Sequence, residues 1–176
     1  YRFLFKLSPD AVFVHWNNIV LYTNDAAVRL FRAESERDLV GRDWHDLVAA
    51  EDRDRIEQRA ARLACGEEAY LQPEEMHYLA LDGQVIEVEA AGARIVIDGK
   101  PASMAGVRDI SERKRAEAAL RASEARLHAI FEHSPLGIAI VDTKGRYTMV
   151  NPAQCRMLGY SEAELDDLFA RDVTGC

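Results

Sequence analysis

Apolar residues change their spacing several times along this chain, and each change marks an element. "RFLFKLSPDA" (2–11) reads as the last turns of a helix that stops at Ser8-Pro9. "AVFVHW" and "NIVLYTN" follow as two short strands joined by Asn17-Asn18, a favoured tight-turn pair. From Asp25 to about Gly66 the spacing is helical. "DAAVRLF" begins at Asn24 or Asp25, both good N-caps. "SERDLVG" has Ser35 as a cap and Gly41 as a stop, and "RDWHDLV" adds a further turn or two. "EDRDRIEQRAARLACG" is the longest helix of the group, with Ile56, Ala60 and Leu63 on one face and Gly66 at its end.

The period then becomes two. Asp82-Gly83 and Asp98-Gly99 are turn signals between β-rich runs, and they divide "EEMHYLALDGQVIEVEAAGARIVIDGKPASMAGVRD" into three antiparallel strands. A hairpin, several short helices and a three-strand meander predict an α+β domain built on a five-stranded antiparallel sheet. From Asp109 the pattern is helical again, with Asp109 as cap and Glu112 completing a capping-box-like pair. Arg113, Ala116, Leu120, Ser123, Leu127, Ile130 and Ser134 take heptad a and d positions, and Glu117 to Arg121 is a favourable i, i+4 pair. Only Leu120, Leu127 and Ile130 are strong core residues. The sequence leaves two alternatives open here: a weak, adjustable coiled coil, or a single solvated helix lying across its own domain.

After this helix the chain repeats itself. "SPLGIAIVDTKGRYTMVNPAQCRMLGYSEAEL" (134–165) runs parallel to "SPDAVFVHWNNIVLYTNDAAVRLFRAESERDL" (8–39): Ser-Pro, strand, turn, strand ending in Asn, helix, then "SEAEL" against "SERDL". Such self-similarity means two copies of one domain type. The second copy stops before its meander. The chain also begins at Tyr1 rather than Met, so it reads as a piece of something longer.

The order of elements resembles the PAS domain family in its sensory-box form. The matching residues are "YTND" and "MVNPA" at the end of the second strand, "LDG" (81–83), "VEAAG" (88–92) and "GVRDISERKRAE" (106–117), which looks like the family's exit motif. The resemblance implies a PAS sensor domain over 1–109, a connector (signalling) helix over 110–133, and the start of a second PAS domain over 134–176. Three departures stand out. Glu87 occupies a position that is often aromatic, Ala49-Ala50 replace a His-Pro pair, and the flavin-adduct motif of light-sensing members is absent, Cys65 lying outside any such context. A flavin–cysteine photosensor is therefore not expected.

Bulk properties narrow the field. The 176 residues are 48% apolar and 30% charged, as in an ordinary globular protein, and the net charge of −8 disfavours nucleic acid and anionic membrane as partners. The longest apolar run, near Leu136 to Val141, falls far short of a bilayer span. Cys65, Cys155 and Cys176 are scattered and form no Cys-x-x-Cys pair, which argues for a reducing, cytoplasmic compartment without disulfides or structural zinc. The full-length protein could still be membrane-attached through other segments.

Small residues crowd the expected sheet: Ala90, Ala91, Gly92, Ala93, Ala102, Ser103, Ala105 and Gly106. They leave room that must be filled either by large helix residues or by a ligand, because empty space in a core is costly. Phe13, Tyr22, Asn24, Phe31, Trp44, His45, Ile56, Leu63, Ala90 and Met104 are the candidate pocket residues. The long helix offers haem no histidine, leaving His45 on the preceding turn as the near substitute. Trp44 and Asn24 could stack on and bond a flavin, but equally well serve a plain core. No metal site or catalytic residue is expected, because the sequence has no Gly-x-Ser-x-Gly, phosphate loop or His-Glu-x-x-His. The cofactor stays open between none and a small metabolite, with haem and flavin disfavoured.

The expectation is a sensory input module of a homodimeric bacterial signal-transduction protein. Asp109, Ile110, Leu120, Leu127 and Ile130 would relay ligand state to a histidine kinase or cyclic-dinucleotide enzyme in the same chain. The alternative is a ligand-free dimerisation or spacer domain with a filled core.

Overall fold

The computed structural model describes residues 2–165 together with 168 and 170. Contacts divide the chain into two compact units, with the boundary between Lys114 and Arg115. No helix among the described residues is long and apolar enough to cross a membrane.

The first unit opens with helix α1 (Arg2–Leu7) and strands β1 (Ala11–Trp16) and β2 (Ile19–Thr23). Asn17 and Asn18 both take positive φ, 45° and 67°, the geometry of the two-residue turn that suits the right-handed twist of a hairpin. Helix α2 (Asp25–Leu30) follows, then three 3-10 turns, then α3 (Arg53–Cys65), which ends at Gly66 in the left-handed region, φ 80°. The meander is β3 (Tyr70–Leu79), β4 (Val85–Ile97) and β5 (Lys100–Asp109). The sheet order is β2-β1-β5-β4-β3, antiparallel throughout, so the last strand lies at the centre between the first and fourth. This is the expected α+β architecture.

Two segments depart from the sequence pattern. The stretch 31–52 is not continuous helix. Arg32 takes φ 53°, and Val48 pairs with Tyr78 while the Ala49 amide donates to the His77 carbonyl, so edge strand β3 captures backbone groups that a further helical turn would have used. Strand β3 begins at Tyr70, four residues before the expected start, and runs across Pro73. It can do so because β3 is at the sheet edge and its register shifts between Leu71 and Glu74, where a missing N–H is tolerated.

The core lies between the sheet and the helical layer. Phe13 packs edge-on to Phe31 at 6.3 Å between ring centres, and Phe31 stacks on Tyr78 at 6.0 Å. Leu39, Leu47, Val48, Val88 and Val107 complete it, each almost wholly buried. Helix α4 (Ser111–His133) follows β5 directly, and none of its described residues is buried. The second unit contains hairpin strands β6 (Ala139–Val141) and β7 (Tyr147–Val150), helix α5 (Pro152–Leu158) and helix α6 (Glu162–Leu165). Tyr147, Val150 and Leu165 form its small core. Cys65 is exposed and Cys155 half-buried, both as free thiols; Cys176 lies outside the described residues.

Candidate functional site

Helix α3 lies over β4 and β5, and the small residues of the sheet let it come close. A Cβ added at Gly92 would stand 2.9 Å from Leu63 Cδ1 and 3.2 Å from Leu71 Cδ1. Between helix and sheet is a cavity of about 50 Å³, lined by Phe13, His15, Trp44, Ile56, Leu63, Ala90 and Met104, with Arg59, Met76 and Tyr78 on its margins. A larger groove of about 370 Å³ adjoins it, running from the Asn17-Asn18 turn past Ala60 and Ala64 to Arg94 and Ser103. His15, Trp44, Ala60 and Leu63 line both spaces.

Trp44 is placed by backbone bonds on both sides. Its amide donates to the Asn18 carbonyl, and Asp43 caps its 3-10 turn by accepting from the His45 amide at 3.0 Å and binding His45 Nδ1 at 2.6 Å. The His45 ring is thereby held against the indole, 3.9 Å between ring centres. Trp44 is 3% exposed, yet its Nε1–H makes no hydrogen bond. A buried donor left unpaired costs about 1–3 kcal/mol. His15 lies 5.6 Å from the same indole. Burial, reinforced by nearby His45, pushes its pKa down to about 4, so the imidazole that faces the pocket is neutral at physiological pH. Arg59, though charged, is mostly covered; it pairs with Glu74 and donates to the Gln72 carbonyl at 2.7 Å. Burial also pushes the Tyr78 hydroxyl pKa up, keeping it neutral.

Of the ten pocket residues expected from sequence, six line the cavity: Phe13, Trp44, Ile56, Leu63, Ala90 and Met104. The other four do not. Tyr22 is 47% exposed on β2, because the register places its side chain away from the core face occupied by Val20. Asn24 is buried but spends its polar atoms on backbone partners. Phe31 belongs to the closed core beside Tyr78. His45 stacks on Trp44 and binds Asp43 instead. Sequence reasoning missed His15, Arg59, Met76 and Tyr78. For His15 a signal existed: it stands two residues after Phe13 on the same strand and so faces the same way.

A second cluster joins Glu51, Asp52 and His77, whose ligand-type atoms lie within 4.8 Å of one another. Its geometry is that of a latch. Asp52 accepts from the His77 amide at 2.7 Å, meets His77 Nδ1 at 3.0 Å, and pairs through its other oxygen with Arg55 at 2.8 Å. The start of α3 is thereby fastened to edge strand β3.

At the far end of β5, Asp109 Oδ1 accepts from the Ser111 amide, and buried Ile110 donates its amide to the Glu87 carbonyl at 3.0 Å. Lys114 pairs with Glu75 at 2.8 Å and with Glu87 at 3.8 Å, and Arg113 reaches Glu75 at 3.2 Å. The hydrogen bond from Lys114 holds the Glu75 carboxyl below its ordinary range. Leu120, Leu127 and Ile130 are 57–64% exposed on α4.

Comparison with known proteins gives two family matches. The family described as "PAS fold" matches residues 5–115, and the one described as "PAS domain" matches residues 125–175. Sporulation kinase A of Bacillus subtilis is 22% identical over 98% of this chain, which spans 28% of that kinase. The sensor histidine kinase TmoS of Ectopseudomonas mendocina is 45% identical over 56 residues, 32% of this chain and 6% of that protein. Among solved structures, the PAS domain of a Colwellia psychrerythraea protein superposes with a TM-score of 0.55 at 18% identity, covering 63% of this chain and 94% of that one.

Proposed function

This chain belongs to the PAS domain family, and from that premise we propose that residues 1–109 are a ligand-binding input module whose state is carried by the 110–133 helix to an output domain in the same chain. The likeness to sensor kinases supports a sensory module of signal transduction, with any catalytic domain elsewhere. That output is a histidine kinase or a cyclic-dinucleotide enzyme: likeness to sensor kinases supports the first, and 38% identity over 52 residues to the probable diguanylate cyclase DgcE of Escherichia coli supports the second. Residues 134–176 are then the start of a second PAS domain, the working form is a homodimer, and the location is cytoplasmic.

One observation carries the reading. Strand β5 lines the cavity through Met104 and Ala105, lies at the centre of the sheet, and five residues after Met104 becomes the junction to α4. An occupant pressing on Met104 acts on the strand that anchors the helix. Phe13, Trp44, Ile56, Leu63, Ala90 and Met104, joined by His15, are the proposed ligand contacts. The adjoining groove, which shares His15, Trp44 and Leu63 with the cavity but does not reach Met104, measures about 370 Å³, within the range of small-molecule sites. The chemistry fits a small, largely apolar molecule with a hydrogen-bond acceptor for the Trp44 Nε1–H.

The second reading, a ligand-free dimerisation or spacer domain, has its own support: the cavity between helix and sheet is only about 50 Å³, too small for more than a few atoms. Native mass spectrometry with an absorption spectrum of the purified chain separates the two. A stoichiometric bound mass that is lost in a Trp44→Phe variant supports the sensor; a bare protein that also fails to bind any member of a small-metabolite library supports the spacer.

A further inference from the structure

Two asparagines in equivalent places of the two units make the same four hydrogen bonds. Asn24 Oδ1 accepts from the amides of Val12 at 3.0 Å and Ala27 at 2.9 Å, while Nδ2 donates to the carbonyls of Asp10 at 3.0 Å and Phe5 at 3.2 Å. Asn151 Oδ1 accepts from Ile138 at 2.8 Å and Gln154 at 2.9 Å, while Nδ2 donates to Leu136 at 2.9 Å and Phe131 at 3.0 Å. Both residues are at most 1% exposed.

The Oδ1 bonds to Ala27 and Gln154 are ordinary N-caps of α2 and α5. The Nδ2 bonds are different. Phe5 lies in the last turn of α1 and Phe131 in the last turn of α4, where carbonyls have no partner within the helix. Each carboxamide therefore bridges the carbonyl end of the helix that enters its unit and the amide end of the helix that follows the hairpin. Its polarity matches both ends: the donor faces the negative end and the acceptor the positive end. Among the short side chains, only asparagine supplies two donors and an acceptor in one planar group.

We propose that Asn24 and Asn151 are positioning residues that fasten each incoming helix to its unit, so that Asn151 is the point at which the second unit grips the connector helix. Its role in signalling rests on the relay reading above, whereas the clamp itself does not. Aspartate is the discriminating replacement. It keeps the Oδ1 acceptor that caps α5 and holds β6, but an ionised carboxylate cannot donate, and it repels the Phe131 and Leu136 carbonyls.

The test is residue-resolved amide hydrogen exchange on the intact chain carrying Asn151→Asp. The clamp predicts exchange at least tenfold faster through residues 129–133, with the Ile138 and Gln154 amides protected as in the parent. Unchanged exchange over 129–133, or equal loss at Ile138 and Gln154, overturns it. If Asn151→Asp unfolds the second unit, Asn24→Asp decides in the first: residues 5–7 should lose protection while Val12 and Ala27 keep theirs, and the opposite pattern refutes the clamp. A failed relay would leave these patterns intact and show only as an unaltered output. A failed clamp would show in the exchange data whatever the output does.

Discussion

The neutral histidine of the pocket makes a quantitative claim about pH. His15 has a folded-state pKa of about 4 against 6.5 in an unfolded chain, because the sheet and Trp44 strip water from its ring. As pH falls below about 6.5 the unfolded chain gains a proton there that the folded protein refuses until about 4. Stability is therefore lost through that window as pH falls and is constant above it. Linkage puts the loss from pH 7.5 to pH 5 at about 2 kcal/mol. The assay is urea unfolding followed by tryptophan fluorescence at both pH values. Both tryptophans, Trp16 and Trp44, sit in the first unit, so the signal follows that unit alone. His15→Gln removes the titration and should flatten this part of the pH dependence, while carboxylates and the other histidines contribute to both proteins and cancel in the difference. If parent and variant lose the same stability between pH 7.5 and 5, then His15 is not held neutral and the account of the pocket's electrostatics is wrong.

Other outcomes follow from the same geometry. Leu63→Ala, at a residue 3% exposed that lines both cavity and groove, should cost about 2–4 kcal/mol by urea unfolding and merge the two spaces. Gly92→Ala should cost about 1–2 kcal/mol, since its methyl group would push on Leu63 and Leu71; a neutral result would mean α3 is not seated tightly there. Leu120→Glu, on the exposed face of α4, should leave the unfolding midpoint within about 0.5 kcal/mol of the parent. Sedimentation velocity should show weakened self-association in the same variant, and unaltered association would remove Leu120 from the dimer contact.

Features with a local cause were legible in the sequence. Asn17-Asn18 and Asp98-Gly99 announce their turns because few other pairs accept positive φ at both positions. Ile56 and Leu63 face the sheet because helical spacing puts them there. What escaped notice depends on long-range pairing. Strand β3 starts early because its bulge accommodates Pro73, and the helical stretch breaks at Arg32, where the Leu81 amide takes the Phe31 carbonyl, and again at Val48 and Ala49, whose backbone β3 captures. Asn24 has pocket chemistry but is turned elsewhere by Phe5 in another element, whereas His45 is held by its own neighbours Asp43 and Trp44, a local Asx-type contact that the pocket reading overlooks. The pairing of Arg59 with Glu74 spans helix and edge strand and has no local signature.

The central claim is that the state of the cavity reaches helix α4 through β5. Hydrogen exchange on the intact chain, comparing the parent with Leu63→Ala, tests it most directly. No described residue of α4 is buried, so its first turns can open locally and their exchange does not simply follow global stability. The account predicts altered protection at residues 107–120 as well as around the mutated helix α3. A change confined to α3 and the strands beneath it, with 111–120 exchanging as in the parent, would contradict the relay.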